Sequence, residues 1–435
     1  YNKENGYREV KLRKCTNYQE RKVGKRNIVD YVAGGDPNKN QKGDEKDLIK
    51  SMKIWYDNLG LNKYGRFNGR GSIGTPYILF KAKNVIDYRT RVEKWKKCRP
   101  IAPAIKHPMN RLMKKVGRAW YFIAKQGYKK GKHFTIPEVQ EVPKHIEDMM
   151  KELKKEEDEY EVHTYDIEKC FPSMNKDAIT IALTEMIQEH KKEGREGIFV
   201  PYSKSKKITW DSPYVSHLGK LIPINNHRIG TWLPWDVLWE TMNFILFHSY
   251  VRIDKDIILE QSEGIPMGME IAPAMTIGTC AWMEKEWMNT MTKENKRNIV
   301  GMRYMDDLFI MSTKRKGKGI IANLEKELYW EPMKLLKTDD NTFLETEYEM
   351  TPTGNMKYWL KDTNKGYDKK VWRYHHYDSG LPFFMKKAGV RMCLTKLEKM
   401  ASDKMVLKNT AKNRLVELMD LGYPKKLLQY QCATM

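Results

Sequence analysis

The hydrophobic pattern of the chain predicts alternating helices and short strands. Apolar residues recur at helical spacing in three segments, which are 175–191, 235–248 and 273–291. Asn175 can cap the first of these helices, and Pro273 suits the first turn of the last. Apolar runs predict strands at 162–167, at 250–254 and 257–261, and on both sides of 304–307. The pattern therefore predicts a structure that contains both helices and strands.

The tetrapeptide Tyr-Met-Asp-Asp at 304–307 places two adjacent aspartates at the tip of a predicted hairpin. An Asp-Asp pair alone carries little information, because a second pair at 339–340 lacks such a setting and because a solvated turn or a helix cap is its ordinary role. Here Asp166 lies on another predicted strand, far upstream. Three carboxylates can hold two metal ions roughly 4 Å apart that stabilise both oxygens in a displacement on phosphorus. Mg²⁺ is commonly held by carboxylates together with substrate phosphates.

Two further segments have the composition expected around such a site. In the first, the strand ends at Asp166 and Phe171 follows at the Pro-containing turn, although core packing is the ordinary role of such a ring. In the second, Gly264 and Gly268 allow positive φ and a close approach of the backbone to a base pair, and a helix follows.

In this order, the segments 163–173, 263–274 and 304–307 resemble the palm motifs of reverse transcriptases. The resemblance implies a right-hand polymerase of the α+β class, with fingers, palm and thumb and with an antiparallel palm sheet backed by helices. Such an enzyme extends a DNA or RNA primer with dNTPs on an RNA template. It also implies that the ring of Phe171 leaves no room for a 2′-hydroxyl. Two alternatives remain open. An RNA-dependent RNA polymerase is disfavoured by this aromatic residue and by the Pro-Met-Gly turn, and a non-catalytic, nucleic-acid-binding polymerase fold is disfavoured by the three aspartates.

Weaker segments are similar to the Penelope-like branch of that family, which is related to telomerase. They follow one another in the order of that branch: Cys-Arg-Pro-Ile-Ala-Pro at 98–103, the hairpin at 250–261, Thr-Phe-Leu-Glu at 342–345, the stretch 372–379 and Gly-Tyr-Pro at 422–424. No Gly-Ile-Tyr…Tyr-Ile-Gly pattern follows, so the endonuclease that many such elements carry is not expected. Because the chain begins at Tyr1 rather than at a methionine, we expect it to be incomplete or processed.

The resemblance assigns the metal-binding roles to residues of two strands. Asp166 and Asp306 would bridge two Mg²⁺ ions, or Mn²⁺ in their place. Asp307 would support them, and the adjoining Ile167 would contribute to the same site.

The resemblance also assigns roles toward the nucleotide. Arg99, with Lys97, would clamp the triphosphate, because a guanidinium matches phosphate geometry bidentately. Lys337 or Lys334 would act as general acid toward pyrophosphate, and an ordinary surface lysine is the alternative for either. A glycine turn would position template and nucleotide, and it comprises Gly264, Pro266, Met267 and Gly268.

Composition and charge agree with a nucleic-acid partner. The net charge of +23 and the pI of about 9.4 imply a polyanionic ligand. Basic residues cluster between 94 and 118 and are interleaved with Trp95, Trp120 and Tyr121, as expected for a surface that follows phosphates and stacks bases. A solvated charged face is the alternative. The residues expected to contact nucleic acid are Lys106, Arg111, Lys114, Lys115, Arg118 and Tyr304.

The cysteines and the hydropathy indicate the cellular compartment in which the protein is expected. Six cysteines without Cys-x-x-Cys spacing favour a reducing, intracellular compartment over a zinc ribbon or a disulfide framework. If the chain belongs to a Penelope-like element, the nucleus is expected. No apolar run reaches roughly 18 residues and no signal peptide is visible, so no membrane partner is expected.

Four regions are expected along the chain: a basic N-terminal extension at 1–85, fingers at 86–160, palm at 161–370 and thumb at 371–435. Smaller features are expected within them: loops at 34–46 and 60–74, a charged helix at 144–160, an irregular insertion at 195–234, and thumb helices at 394–400 and 411–421.

Overall fold

A computed structural model describes the following residues of the chain: 7–9, 19–23, 26–30, 45–80, 98–126, 133–153, 159–210, 214–217, 220–223, 229–254, 257–338, 341–351, 355–362 and 373–434. Within them the helices are α1 (Glu45–Asn58), α2 (Asn110–Gln126), α3 (Val142–Leu153), α4 (Cys170–Ser173), α5 (Lys176–Lys192), α6 (Trp235–Phe247), α7 (Ala272–Thr290), α8 (Lys293–Arg297), α9 (Gly317–Glu327), α10 (Phe383–Lys399), α11 (Lys404–Asp420) and α12 (Lys425–Ala433). The strands are β1 (Tyr7–Glu9), β2 (Gln19–Val23), β3 (Arg26–Asp30), β4 (Tyr77–Phe80), β5 (Cys98–Ile101), β6 (Tyr160–Ile167), β7 (Gly197–Pro201), β8 (Tyr214–His217), β9 (Lys220–Pro223), β10 (Gly230–Pro234), β11 (Tyr250–Asp254), β12 (Ile257–Gln261), β13 (Ile299–Tyr304), β14 (Asp307–Thr313), β15 (Leu335–Thr338), β16 (Thr342–Phe343), β17 (Thr346–Met350) and β18 (Met356–Leu360).

A four-stranded antiparallel sheet in the order β13–β14–β6–β15 lies at the centre of the fold. Strand β14 is buried from its second residue onward, which explains its nearly continuous apolar sequence. One face of this sheet, here called the rear face, carries Tyr165, Leu308 and Ile310 into the largest core, together with side chains of α5 and α7. Helix α7 is buried almost all round, as expected for a helix surrounded by protein.

The opposite face, here called the front face, is partly covered by α3 and by the small sheet β16–β17–β18. Phe309 of β14 lies 5.3 Å from the ring of Phe343 and 5.4 Å from that of Tyr348. This aromatic cluster fixes the small sheet against the centre of the fold.

Helix α2 packs closely against the segment that leads into α7. A Cβ built on Gly117 of α2 would lie 2.8 Å from the carbonyl carbon of Glu270, so this approach requires glycine. The contact joins the basic region of the chain to the centre of the fold.

The structure confirms the helices and the hairpin that local periodicity predicts. Helices α5, α6 and α7 match their predicted bounds to within one residue, and the Asn175 side chain caps α5 by accepting the amides of Asp177 and Ala178 at 2.9 and 3.1 Å. Strands β11 and β12 form the predicted hairpin. Among the helices that the structure describes, none is both long enough and apolar enough to cross a bilayer.

Other segments differ from expectation, because their structure depends on distant partners. Of the charged helix predicted at 144–160, the structure describes α3 as far as Leu153. Residues 154–158 lie outside the described residues, and β6 already begins at Tyr160. The described residues of the segment 195–234, predicted to be irregular, include regular structure, since β7 and β10 pair as an antiparallel ribbon. Helices α10 and α11, which were expected in the thumb, begin well before 394 and 411. The sequence pattern missed their first turns in part because exposed apolar residues such as Phe384, 70% exposed, obscure the helical period.

Part of the polar N-terminal region belongs to the largest core. Helix α1 contributes Met52 and Tyr56, which are completely buried in the same cluster as Leu112 and Trp120 of α2. Farther upstream, β1 pairs with β12 and extends the predicted hairpin. The described residues before 85 are therefore joined to the elements around the site.

Stability should depend on pH through His107. Burial lowers the pKa of His107 to about 4, and its Nδ1 accepts the Met109 amide at 3.2 Å. An unfolded histidine has a pKa of about 6.5, so between about pH 4 and pH 6.5 the folded state binds fewer protons than the unfolded state. The stabilisation is complete above about pH 6.5 and is lost as the pH falls toward 4. Thermal melts across this range should show that His107→Asn, which keeps an acceptor, flattens the pH dependence. His145→Asn, at a partly exposed histidine, is the control, and equal slopes for wild type and His107→Asn would contradict the assignment.

Candidate active site

Two aspartates from distant parts of the chain lie opposite each other on the central sheet. Asp307, at the start of β14, pairs with Asp166 near the end of β6. Asp307 also pairs with Tyr304 of β13, and Asp166 with Leu336 of β15. Directly opposite residues share a face, with Cβ atoms about 4.5–5.5 Å apart. The four residues therefore form one row on the front face, with the two carboxylates in the middle and half-buried.

Asp306 lies at the tip of the hairpin between β13 and β14. The two-residue turn is Met305-Asp306, and Met305 has a positive φ of 58°, as the first central residue of tight hairpin turns often does. The Asp306 carbonyl accepts the amide of Ile167 at 3.0 Å. The tip is thus tied to the end of the strand that carries Asp166.

A buried arginine supports this turn from the rear face. Arg303 is completely buried, and its Nη1 donates to the carbonyl of Met305 at 2.9 Å. Its Nη2 donates to Thr135, and its backbone amide donates to the carbonyl of Phe134 at 2.5 Å. Met305, the positive-φ residue of this hairpin turn, is therefore fixed by a charged donor.

The charge of Arg303 is balanced by Glu284 of α7, which is also completely buried and forms an ion pair with it. Glu284 further accepts the hydroxyl of Tyr329 at 2.9 Å and the amide of Phe134 at 2.8 Å. Burial alone would lower the pKa of Arg303, but the nearby Glu284 outweighs it and raises that pKa. Arg303 consequently remains a cation in the interior.

Neither residue of this pair was among the predicted site residues. The available signal was a charged residue in an otherwise apolar strand, Ile299–Tyr304, and an acid inside the apolar helix 272–290. A buried charge needs a partner, but its identity depends on the packing of α7 against the sheet.

The glycine turn contacts the segments that hold Phe171 and Ala102. Gly264 has φ +66°, and a Cβ there would lie 2.5 Å from the Phe171 carbonyl oxygen, which accepts the Ile265 amide at 2.9 Å. Gly268 has φ +114°, and a Cβ there would lie 2.8 Å from the Ala102 carbonyl oxygen. Glycine is required at both positions.

The same turn joins β5 to the site. The Ala102 amide donates to the carbonyl of Met267 at 2.7 Å, while Pro266 is buried and the Phe171 ring is half-buried. The side chain of Arg99, on β5, and the whole of Lys97 lie outside the described residues.

The structure does not bring Lys337 together with the aspartates. Lys337 pairs with Tyr165, so its side chain belongs to the rear face. There its charge, after burial, lowers the pKa of His163. Lys334 is exposed, and its carbonyl accepts the Glu168 amide at 2.8 Å. Leu336 lies on the front face, and the alternation of side chains assigns Lys334, two positions earlier, to the same face.

The predicted nucleic-acid contacts divide into exposed and internal residues. Lys106, Arg111 and Lys114 are exposed. Lys115 instead donates to the carbonyl of Tyr64 and to Thr231 at 2.8 Å, and burial followed by the charge of Arg111 lowers its pKa.

Two further residues of α2 also face the interior. Arg118 donates to the carbonyl of Pro201 at 2.6 Å. Trp120, expected to stack on bases, is completely buried and donates to the carbonyl of Leu238 at 3.3 Å. The predicted surface role was wrong for Trp120, and the contacts of Lys115 and Arg118 bind α2 to neighbouring elements.

The donors around the row suit a hard cation. Among the described residues, no three His, Cys, Asp or Glu side chains are gathered into a metal site. Asp166 and Asp307 nevertheless provide two adjacent carboxylates, and Mg²⁺ is usually held by one or two carboxylates with water and substrate phosphates completing its shell. The residues present therefore fit Mg²⁺ bound together with a phosphate ligand.

Comparison with known proteins gives a distant structural likeness. No protein-family model and no curated protein sequence matches the chain. The chain is similar to telomerase from Candida albicans in complex with a TWJ fragment of telomeric RNA, at 11% identity and a TM-score of 0.49, covering 75% of this chain and 48% of that one. It is also similar to telomerase from Candida tropicalis in complex with the same kind of fragment, at 9% identity and a TM-score of 0.44, covering 90% and 50%. The chain thus spans about half the length of the telomerase chains it matches.

Proposed function

We propose that the chain is an RNA-directed DNA polymerase that extends a primer with dNTPs. The observation that carries this proposal is the pairing of Asp166 with Asp307, beside a hairpin tip that presents Asp306. Two adjacent carboxylates favour a bound cation, and metal-assisted phosphoryl transfer uses this kind of donor set. The glycine turn against Phe171 and Ala102 provides a surface where backbone can approach a base pair.

In this proposal each part of the site has one task. Asp166, Asp306 and Asp307 would hold two Mg²⁺ ions, which when bound neutralise charge on the attacking and leaving oxygens. Arg303 holds the hairpin tip, so the carboxylates are oriented before substrate arrives. Lys334 replaces Lys337 as the proposed proton donor to pyrophosphate, because Lys334 is assigned to the front face, which carries the row with Asp166 and Asp307.

Primer extension on an RNA template tests the proposal directly. The purified chain is offered dNTPs or NTPs, with Mg²⁺ or with a chelator. Extension is expected only when dNTPs and Mg²⁺ are both present. Extension only with NTPs would instead identify an RNA-dependent RNA polymerase, and template binding without extension under any condition would identify a nucleic-acid-binding protein.

Shortening Phe171 should relax the choice of sugar. Its carbonyl is fixed to the glycine turn, so its ring has a defined position beside the site. If the ring excludes a 2′-hydroxyl, Phe171→Ala should raise the ratio of NTP to dNTP incorporation by at least ~10-fold, which corresponds to about 1.4 kcal/mol. Single-nucleotide incorporation kinetics measure this ratio.

A matched control separates selectivity from lost packing. Phe122 of α2 is also partly buried against the largest core, so Phe122→Ala should lower the melting temperature without changing the ratio. An unchanged ratio in a folded Phe171→Ala variant would show that this ring is only part of the core.

A further inference from the structure

A basic cavity of about 680 Å³ lies where the loop 66–70 meets the beginning of α2. Its walls include the side chains of Arg66, Arg70 and Arg111, all exposed, and no acidic residue is among the described residues that line it. Within the part of the chain that the structure describes, none of these guanidinium groups forms an ion pair with a carboxylate. Three like charges around one space are unfavourable unless an anion occupies it.

The two walls of this cavity are fastened together by backbone hydrogen bonds. The Asn68 amide donates to the carbonyl of Pro108 at 2.9 Å, and the Ser72 amide donates to that of Lys106 at 2.9 Å. A Cβ on Gly71 would lie 2.8 Å from the Lys106 carbonyl oxygen, so the backbones of the two segments are in close contact. The arginines are therefore brought together by the fold before any ligand binds, which lowers the entropic cost of binding.

We propose that this cavity binds the phosphate backbone of a single-stranded nucleic acid, which in the proposed reaction is the template strand. This identification of the strand rests on the proposed function. Guanidinium groups bind phosphate oxygens bidentately, and an array without acids matches a chain of phosphates. Ile105 on the rim is 79% exposed and offers an apolar surface on which a sugar or a base can lie.

The site includes residues that composition alone did not assign. Arg66 and Arg70 precede the predicted fingers, whereas Arg111 belongs to the basic cluster. The cavity joins them into one surface, which is continuous along the chain with the exposed Lys106.

The test is the affinity for single-stranded RNA, measured by fluorescence anisotropy with a short labelled oligonucleotide over a range of salt concentrations. Removing two phosphate contacts with Arg66→Gln and Arg70→Gln should lower the salt slope by about 1.4 and weaken binding roughly 10- to 30-fold at ~0.1 M salt. The control replaces two exposed lysines elsewhere, Lys151→Gln and Lys318→Gln, which removes the same charge and should change binding much less. Equal losses in the two double variants would overturn the proposal.

Two competition experiments identify which kind of phosphate ligand the cavity binds. Competition with a dNTP or with inorganic triphosphate asks whether the cavity takes a compact anion instead. The proposal is overturned if the arginine variant loses triphosphate binding but keeps its affinity for RNA. It is supported if RNA binding alone is lost.

Failure of this inference and failure of the proposed function are distinguishable. The binding assay needs no catalysis. Intact primer extension with unchanged RNA affinity in the arginine variant would reject the cavity and keep the polymerase. A selective loss of RNA affinity in a protein that never extends a primer would keep the cavity and reject the polymerase.

Discussion

Replacing Asp306 with asparagine is expected to lower the rate of primer extension by at least ~10³-fold. Asparagine is nearly isosteric, but it removes one of the negative charges that would bind metal. Neutralisation of transition-state charge by metal is worth several kcal/mol, and each 1.36 kcal/mol corresponds to a factor of ten in rate. Because the residue lies at a hairpin tip and is half-buried, the fold and the affinity for template should change little.

The measurement is single-turnover extension of wild type and variant, with template affinity and a thermal melt recorded on the same preparations. Asp148→Asn, at an exposed position on α3, is the control and should retain full activity. Asp306→Asn that keeps about a tenth of wild-type activity would contradict its assignment as a metal ligand.

Arg303→Met is expected to cost about 3–5 kcal/mol of stability, because it leaves Glu284 buried without its cation. The variant also removes the donor to the carbonyl of Met305, so extension should fall in the folded fraction as well. Adding Glu284→Gln should restore much of the stability, since the isolated charge is gone. Extension should remain low in this double variant, because Met305 still lacks its donor.

Chemical denaturation and extension per folded molecule separate the two effects. If activity recovers together with stability in the double variant, the buried pair has only a structural role. Arg414 and Glu417 of α11 form a comparably buried ion pair far along the chain, and they provide the matched control. Arg414→Met with Glu417→Gln should alter stability without a comparable loss of activity per folded molecule.

Local sequence patterns correctly predicted those parts of the candidate site whose structure depends on residues that are close in the sequence. The turn at 305–306 follows from two apolar strands that flank polar residues, and the cap at Asn175 follows from a single side chain before a helical period. The glycines at 264 and 268 have positive φ, as their residue type allowed. In each case the chain within a few residues supplies the physical cause.

Surface assignments within the basic cluster were less reliable, for a reason that α2 makes clear. Lys114 and Lys115 are adjacent and chemically identical, yet the first is exposed and the second donates to Thr231 in the interior. A helix turns by about 100° per residue, so neighbouring side chains face different surroundings. Which direction meets solvent depends on what packs against the helix, and composition does not contain that information.

The amino-acid sequence by itself determined the α+β character, the helices around the central sheet and the acidic hairpin, because periodicity and turn chemistry act over short distances. Only the tertiary structure decided that Asp166 lies opposite Asp307, that Lys337 faces away from them, and that Arg66 shares a cavity with Arg111. These relations depend on strand register and on contacts between segments far apart in the chain. A shift of one residue in the pairing of β6 would move Asp166 to the other face of the sheet, and no local pattern specifies that register.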